Sequence, residues 1–170
     1  TVPVENRVLK RTPGWTQTEK GLTSVSDSCQ EMALMPQLPE NFYLRADIRV
    51  ENTRQCGLIL NTTEDFGKGY YLCLEPENKR LVFRSWLRLY EEGGKTFPYD
   101  VELEVPVRTP EKGIYQLEVL REGTAATAYV NDEAALSFRM YDLPSGNLGL
   151  FSLGKATFSN IELRTDQVEL

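Results

Sequence analysis

Residues 69–86 read G-Y-Y-L-C-L-E-P-E-N-K-R-L-V-F-R-S-W, a pattern typical of a β-hairpin. Two runs rich in aromatic and branched residues, Tyr70–Leu74 and Leu81–Trp86, flank the polar segment Glu75–Arg80, which contains a proline and an asparagine. β-forming runs separated by turn-forming residues indicate two antiparallel strands joined by a tight connection. Successive side chains of a strand point to opposite sides, so each run is expected to have an inward and an outward face.

The second run of this hairpin gives a strand face that combines a charge with an aromatic ring. Val82, Arg84 and Trp86 share one face because the side chains of a strand alternate. An arginine between a valine and a tryptophan is unusual for a face that packs into a core. Such a face is either a salt-bridged surface or a place where a polar ligand docks.

Composition excludes several classes of protein. The chain has 170 residues, enough for one domain with a sizeable core, and 41% of them are hydrophobic. Its formal net charge is −6 without a basic run, which argues against nucleic acids or anionic membranes as partners. The chain has no histidine, so Ser-His and Cys-His nucleophile pairs and histidine-ligated zinc are excluded.

The 3 cysteines of the chain are too few for a disulfide framework and are expected to be small buried hydrophobes.

The rest of the chain predicts short strands. Residues 1–14 are expected to be a lead-in or linker with a short edge strand at Arg7–Lys10, and residues 15–170 the folded body. Tyr43–Val50 is the cleanest alternating strand, with its leucine, alanine, isoleucine and valine on one side. Val101–Val107 is expected near a sheet edge because Pro106 cannot donate to a ladder. The remaining predicted strands are Gly21–Ser26, Cys29–Met35, Gly57–Asn61, Tyr115–Arg121, Thr127–Val130, Ala134–Tyr141, Asn147–Ser152 and Ala156–Arg164.

Ten or more short strands at this spacing, with no convincing helical period, predict an all-β fold. The expected architecture is a two-sheet antiparallel jelly-roll sandwich of the concanavalin-like kind. Asn131-Asp132 marks a second tight hairpin. Leu87–Asp100 is an unusually long connection, and connections of this length are often functional.

Several segments together resemble a known family. They are G-L-I-L-N (57–61), G-Y-Y-L-C-L-E (69–75), R-L-V-F-R (80–84), G-N-L-G-L-F-S (146–152), T-F-S-N-I-E-L (157–163) and, most specifically, V-N-D-E-A-A-L-S-F-R-M-Y (130–141). The chain is similar over residues 14–164 to the C-terminal β-sandwich module of family 32 glycoside hydrolases, the invertase, levanase and fructanase group. It equally resembles the family 66 carbohydrate-binding modules, which share that sandwich.

The resemblance implies a module without catalytic activity. The hydrolases of that family carry their chemistry in a separate propeller with W-x-N-D-P-N-G, R-D-P and E-C motifs, and none of these motifs occurs here. The resemblance further implies a module that binds the terminal fructose of levan- or inulin-type fructans and targets an attached fructan hydrolase to its substrate. An extracellular location is expected, with the cytoplasm as the alternative.

A fructose site needs hydrogen-bonding groups and an apolar platform. Arginine and carboxylate side chains supply charged donors and acceptors for hydroxyl groups, and an aromatic ring supplies the platform. Arg84 and Trp86 fit this requirement on one strand face, and Arg88 and Tyr90 continue the same parity. The connection Leu87–Asp100 and an earlier loop add acids that could fold over that face. The predicted ligand-binding residues are therefore Arg84, Trp86, Arg88, Tyr90, Glu91, Glu92, Asp100 and Glu64.

Two other functions stay open. The sandwich could only buttress a catalytic domain and bind no sugar, or the acids could supply a glycosidase carboxylate pair. The acids considered for such a pair are Glu75, Glu77, Glu91, Glu92, Asp100, Glu102 and Glu104.

No cofactor is expected. Asp65 and nearby acids offer the hard oxygen ligands that calcium prefers, but no ligand spacing supports a calcium site.

Overall fold

The fold is built almost entirely from antiparallel strands. The computed structural model describes residues 3–25, 27–63, 66, 68–87, 91, 92, 95, 96, 102–141 and 145–165. After a short 3-10 helix, Val4–Asn6, these residues form the strands β1 (Val8–Arg11), β2 (Trp15–Thr18), β3 (Gly21–Ser24), β4 (Cys29–Gln37), β5 (Asn41–Thr62), β6 (Lys68–Glu75), β7 (Arg80–Leu87), β8 (Glu91–Glu92), β9 (Lys95–Thr96), β10 (Glu102–Pro106), β11 (Ile114–Glu122), β12 (Ala125–Val130), β13 (Glu133–Arg139) and β14 (Asn147–Thr165). Among the described residues, no helix has the length and apolar character needed to cross a membrane.

Two long strands, β5 and β14, run through both layers of a sandwich. The first half of β14 pairs with β4 and with the second half of β5, which also pairs with β6. The second half of β14 pairs with β3 and with the first half of β5, which also pairs with β11. The first sheet thus has the order β1-β4-β14-β5-β6-β7-β10, and the second has the order β2-β3-β14-β5-β11-β12-β13. The predicted two-sheet antiparallel sandwich is confirmed.

The long strands change direction near Gly154. The β14–β5 register shifts on both sides of this residue, so the ladder is irregular where the strands pass from one sheet to the other. Gly154 has φ +113°, a backbone conformation that residues with a Cβ rarely adopt. A Cβ at this position would lie 2.8 Å from the carbonyl oxygen of Asn52. Glycine is therefore required for the close approach of the two backbones at the bend.

Apolar side chains from both sheets meet in one core. Phe83 of β7 stacks on Tyr70 of β6, with ring centroids 5.8 Å apart, and on Phe138 of β13 at 4.2 Å. Because β13 belongs to the second sheet, Phe83 joins the two layers. Trp15 packs against Phe158 with centroids 5.8 Å apart, and its indole N–H donates to the carbonyl of Glu31 at 3.1 Å. The segment containing Trp15 is thereby attached to the body.

The structure merges strands that the sequence separates. Tyr43–Val50 and Gly57–Asn61 are parts of β5, and the two predicted C-terminal strands are parts of β14. The turn-like residues between them form bends rather than strand ends, because both partner strands bend together. The short edge strand expected at Arg7–Lys10 is found at Val8–Arg11, where it pairs with β4.

The hairpins are found where the sequence predicts them. Asn131 and Asp132 have φ of 50° and 69°, the left-handed conformation that a tight two-residue hairpin turn requires.

The prediction that the cysteines are buried is right for Cys56 and Cys73 and wrong for Cys29, which is exposed at the start of β4. All 3 thiols are free.

Candidate functional site

The hairpin of β6 and β7 presents a mixed polar and apolar surface on the outer face of the first sheet. Its inward residues, among them Leu72 and Phe83, belong to the core between the sheets. The alternate residues therefore lie on the outer face. The register places Tyr71 opposite Arg84, and Glu75 opposite Arg80. We call this surface, with its continuation over β5, β14 and β4, the outer face.

A buried carboxylate organises the charged part of the outer face. The side chain of Glu75 is only 3% exposed. It accepts hydrogen bonds from Gln55 Nε2 at 2.9 Å, Asn78 Nδ2 at 2.9 Å and Arg80 Nε at 2.6 Å. Arg84 Nη2 adds a longer contact of 3.4 Å. Glu75 therefore has four donors around its two oxygens, an arrangement that holds both arginines in place.

The ionised form of Glu75 is favoured by these contacts. Burial by itself would raise the pKa of this carboxyl group, but the hydrogen bonds from Arg80 and Asn78 and the positive charges of Arg80 and Arg84 outweigh that effect. The net result is a pKa below the ordinary value of a glutamate. Glu75 thus stays charged at neutral pH and can orient a cation, but it is a poor proton donor.

Arg84 keeps part of its surface open. Its side chain is 24% exposed, whereas that of its partner Glu75 is almost fully covered. Arg80 also bonds to Glu104 on the neighbouring strand β10, so its guanidinium has carboxylates on both sides. Of the two arginines, Arg84 has the longer contact to Glu75, and its side chain, like that of Arg80 at 31%, is partly exposed.

An apolar patch lies beside Arg84. Ile59, Cys73 and Phe151 form a small cluster separate from the core, and Tyr71 packs on it. The rings of Tyr71 and Phe151 meet edge to face at 86°, with centroids 5.4 Å apart. The Tyr71 hydroxyl donates to Glu31 Oε2 at 2.9 Å. Burial, together with the Glu31 charge and hydrogen bond, raises the pKa of Tyr71, so its hydroxyl remains a donor at all ordinary pH values.

The predicted site is only partly within the described structure. Arg84 lies on the outer face, and Trp86 lies two residues further along β7, with its backbone opposite Gly69. Glu91 and Glu92 form β8 and pair with β9. The side chains of Trp86, Glu91 and Glu92 are outside the described structure, as are the residues Arg88, Tyr90, Asp100 and Glu64 altogether. For these seven residues the site stays a prediction.

Three residues of the outer face near Arg84 were not among the predicted binding residues: Glu75, Tyr71 and Glu31. Tyr71 and Glu75 could have been found, because Tyr71 has the same parity in β6 as the charged Glu75, which indicates the outward side. Glu31 carried no such signal, since it reaches Tyr71 from a strand 40 residues earlier in the chain.

A second concave region of the described structure does not resemble a sugar-binding site. A cleft of about 660 Å³ lies between β10 and the β12–β13 turn, and it offers no aromatic ring for a sugar to stack on. Its lining consists of Lys79, residues 105–109, Val130, Asn131 and residues 133–135.

No group of three or more histidine, cysteine, aspartate or glutamate side chains in the described part of the chain is arranged to hold a metal ion.

Comparison with known proteins identifies the fold. No protein-family model and no curated protein sequence matches the chain. Among solved structures, the carbohydrate binding module CBM66 from Bacillus subtilis superimposes with a TM-score of 0.75 at 20% identity, covering 93% of this chain and 94% of that one.

Larger enzymes contain the same sandwich. A fructosyltransferase from A. japonicus matches with a TM-score of 0.56 at 15% identity, over 83% of this chain and 25% of that one. A β-fructofuranosidase from Aspergillus kawachii matches with a TM-score of 0.59 at 14% identity, over 83% of this chain and 26% of that one. The structural likeness expected from the sequence is therefore confirmed for the fold, and the chain spans about a quarter of these two enzymes.

Proposed function

We propose that this chain is a non-catalytic carbohydrate-binding module that holds the terminal fructose of a fructan and keeps an attached hydrolase near its polymer. The observation that carries the proposal is the arrangement of Arg84 on the outer face, oriented by the buried Glu75 and directly opposite Tyr71. A guanidinium beside an aromatic ring offers donors for hydroxyl groups and a surface for the C–H face of a sugar. The shared fold with the module CBM66 supports the same class of function.

The electrostatics favour binding over hydrolysis. Glycoside hydrolysis by two carboxyl groups needs one of them protonated as the acid, with a raised pKa. Glu75 was one of the acids considered for such a pair, and its pKa is lowered instead. Its four donors also occupy the oxygens that would face a substrate. Glu75 therefore serves this site as a fixed anion that positions Arg84.

Affinity electrophoresis in gels containing levan or inulin tests the proposal. Arg84→Ala removes the donor, and Trp86→Ala removes the predicted ring, so each is expected to abolish retention of the protein. The thermal melt should change little for Arg84→Ala, because Glu75 keeps its three shorter hydrogen bonds. Arg45→Ala is the matched control, since Arg45 is also partly exposed and ion-paired but lies on the second sheet.

The results separate the candidate functions. Unchanged mobility of both variants would remove the site from the outer face, and release of fructose from fructans by the isolated chain would contradict a non-catalytic module. A purely structural role is the second candidate, because the matched fructosyltransferase contains this sandwich as about a quarter of its length. Absence of wild-type binding to levan, inulin, sucrose and fructose in calorimetry would favour that role.

A further inference from the structure

The side chain of Tyr71 lies along the outer face rather than projecting from it. Tyr71 is on β6 and its hydrogen-bond partner Glu31 is on β4, with β5 and β14 between them. Neighbouring strands are about 4.8 Å apart, so three spacings separate the two backbones by about 14 Å. Both side chains must extend toward each other across the sheet to form the 2.9 Å hydrogen bond. The Tyr71 ring therefore covers part of the sheet between these strands.

The ring is fixed in this position by its neighbours. Phe151 supports it edge to face, and Ile59 and Cys73 fill the space around it with almost no exposed surface of their own. Glu31 is held in turn by its backbone: the Glu31 carbonyl accepts a hydrogen bond from Trp15 Nε1, and the Glu31 N–H donates to Thr12 Oγ1. Tyr71 and Glu31 themselves remain partly exposed. A preformed aromatic surface next to a carboxylate provides a stacking platform and a hydrogen-bond acceptor for a sugar.

Arg84 and Glu31 lie on strands at opposite ends of the surface that Tyr71 covers. Arg84 lies on β7, directly opposite Tyr71, and Glu31 lies on β4, four strand positions away. At about 4.8 Å for each position the two residues are separated by about 19 Å at the backbone. A ligand that contacts both Arg84 and Glu31 must therefore extend across Tyr71, whose side chain lies between their strands. A linear chain of sugars extending across the strands would pass over Tyr71 and bring a later hydroxyl group to the Glu31 carboxylate.

We propose that the binding site continues from Arg84 across Tyr71 to Glu31, and that this second part holds the sugar units that follow the terminal fructose. This inference rests on the proposed function, because it assigns the terminal unit to Arg84. Tyr71 supplies the stacking platform for the next unit, and Glu31 accepts a hydrogen bond from a hydroxyl further along the chain. The preferred ligand is therefore a fructose oligosaccharide rather than the free monosaccharide.

Isothermal titration calorimetry with fructose and with its β-2,6-linked disaccharide and trisaccharide tests this proposal. The wild type is expected to bind the trisaccharide at least about 10-fold more tightly than fructose, which is about 1.4 kcal/mol. Glu31→Gln should lose most of that gain and leave the fructose affinity within twofold of wild type, whereas Tyr71→Ala, which removes the ring beside Arg84, should weaken trisaccharide binding more than fructose binding. Tyr71→Phe keeps the ring and should retain part of the gain. Arg84→Ala should weaken binding of all three ligands.

Tyr129→Ala is the matched control. Tyr129 is a half-buried tyrosine on the second sheet, opposite Glu118, so its loss should change none of the affinities. Equal wild-type affinity for fructose and trisaccharide would overturn the proposal, as would an equal loss for both ligands in Glu31→Gln. Failure of the wild type to bind any of the three ligands would instead refute the proposed function itself. Thermal melts identify a variant that does not fold, and Glu31→Gln and Tyr71→Phe remain informative if Tyr71→Ala unfolds.

Discussion

At the scale of single residues, Glu75 shows how a buried charge can organise a surface of the protein. A carboxylate removed from water is costly unless donors replace its hydration, and here Gln55, Asn78, Arg80 and Arg84 do so. The interaction fixes the side chains of both arginines, which stay partly exposed. Glu75 also links this surface to the stability of the fold, because its charge must be retained for both.

The lowered pKa of Glu75 gives a pH dependence with a definite sign. Its contribution to stability is fully present above the pKa of an unfolded glutamate, about 4.3, and is lost as the pH falls through the lower pKa of the folded state. Glu75→Gln should therefore reduce the free energy of unfolding by about 2 kcal/mol at pH 7. The difference from wild type should shrink at pH 3, as measured by urea unfolding.

Glu104→Gln is the control for this prediction. Glu104 contacts the same Arg80, but its side chain is 56% exposed, so its loss should cost under about 1 kcal/mol. A cost for Glu75→Gln that is identical at pH 7 and pH 3 would show that the charge of Glu75 is not what stabilises the fold.

At the scale of elements, the β6–β7 hairpin was the most predictable part of the chain and the part that carries the proposed site. Its two alternating runs gave the strands, the faces and the position of Arg84 correctly, because each of these follows from neighbouring residues. The continuity of β5 and β14 was not predictable, since glycine and asparagine bend a paired strand as readily as they end one. The contact between Tyr71 and Glu31 was also beyond the sequence, because it depends on which strands become neighbours.

The inward face of the same hairpin makes a prediction about the core. Phe83 stacks on Tyr70 within its own sheet and on Phe138 of the opposite sheet, and it is 1% exposed. Phe83→Ala should reduce the free energy of unfolding by about 3–5 kcal/mol, because it leaves a cavity between the two layers. Guanidinium chloride denaturation measures this loss.

Leu103→Ala is the matched control for the core prediction. Leu103 is the residue of β10 opposite Phe83, but it is 38% exposed, so its truncation to alanine should cost about 1 kcal/mol or less. Equal losses for Phe83→Ala and Leu103→Ala would contradict the role of Phe83 as the link between the layers.

At the scale of the whole molecule, the bend at Gly154 allows two strands to serve both sheets. In Gly154→Ala, the alanine would have to adopt a φ of +113°, and its Cβ would lie only 2.8 Å from the Asn52 carbonyl oxygen. It should destabilise the protein by about 1–3 kcal/mol and lower the melting temperature. Gly123→Ala is the control, because Gly123 also has a left-handed φ, +64°, but a Cβ there would have no atom within 4 Å. A melting temperature lowered equally in both variants would mean that the close backbone approach at Gly154 is unimportant.

Sharing β5 and β14 between the layers has a consequence for how the chain acquires its structure. The hydrogen bond from Thr53 to Lys155 joins residues 102 positions apart, and the ladder around it belongs to both layers. Neither layer contains a complete set of strands from one contiguous half of the sequence, so a nascent chain cannot finish either layer before β14 has been synthesised. Refolding from denaturant should accordingly be slow for a protein of this size, on the millisecond-to-second scale typical of topologies dominated by distant pairings.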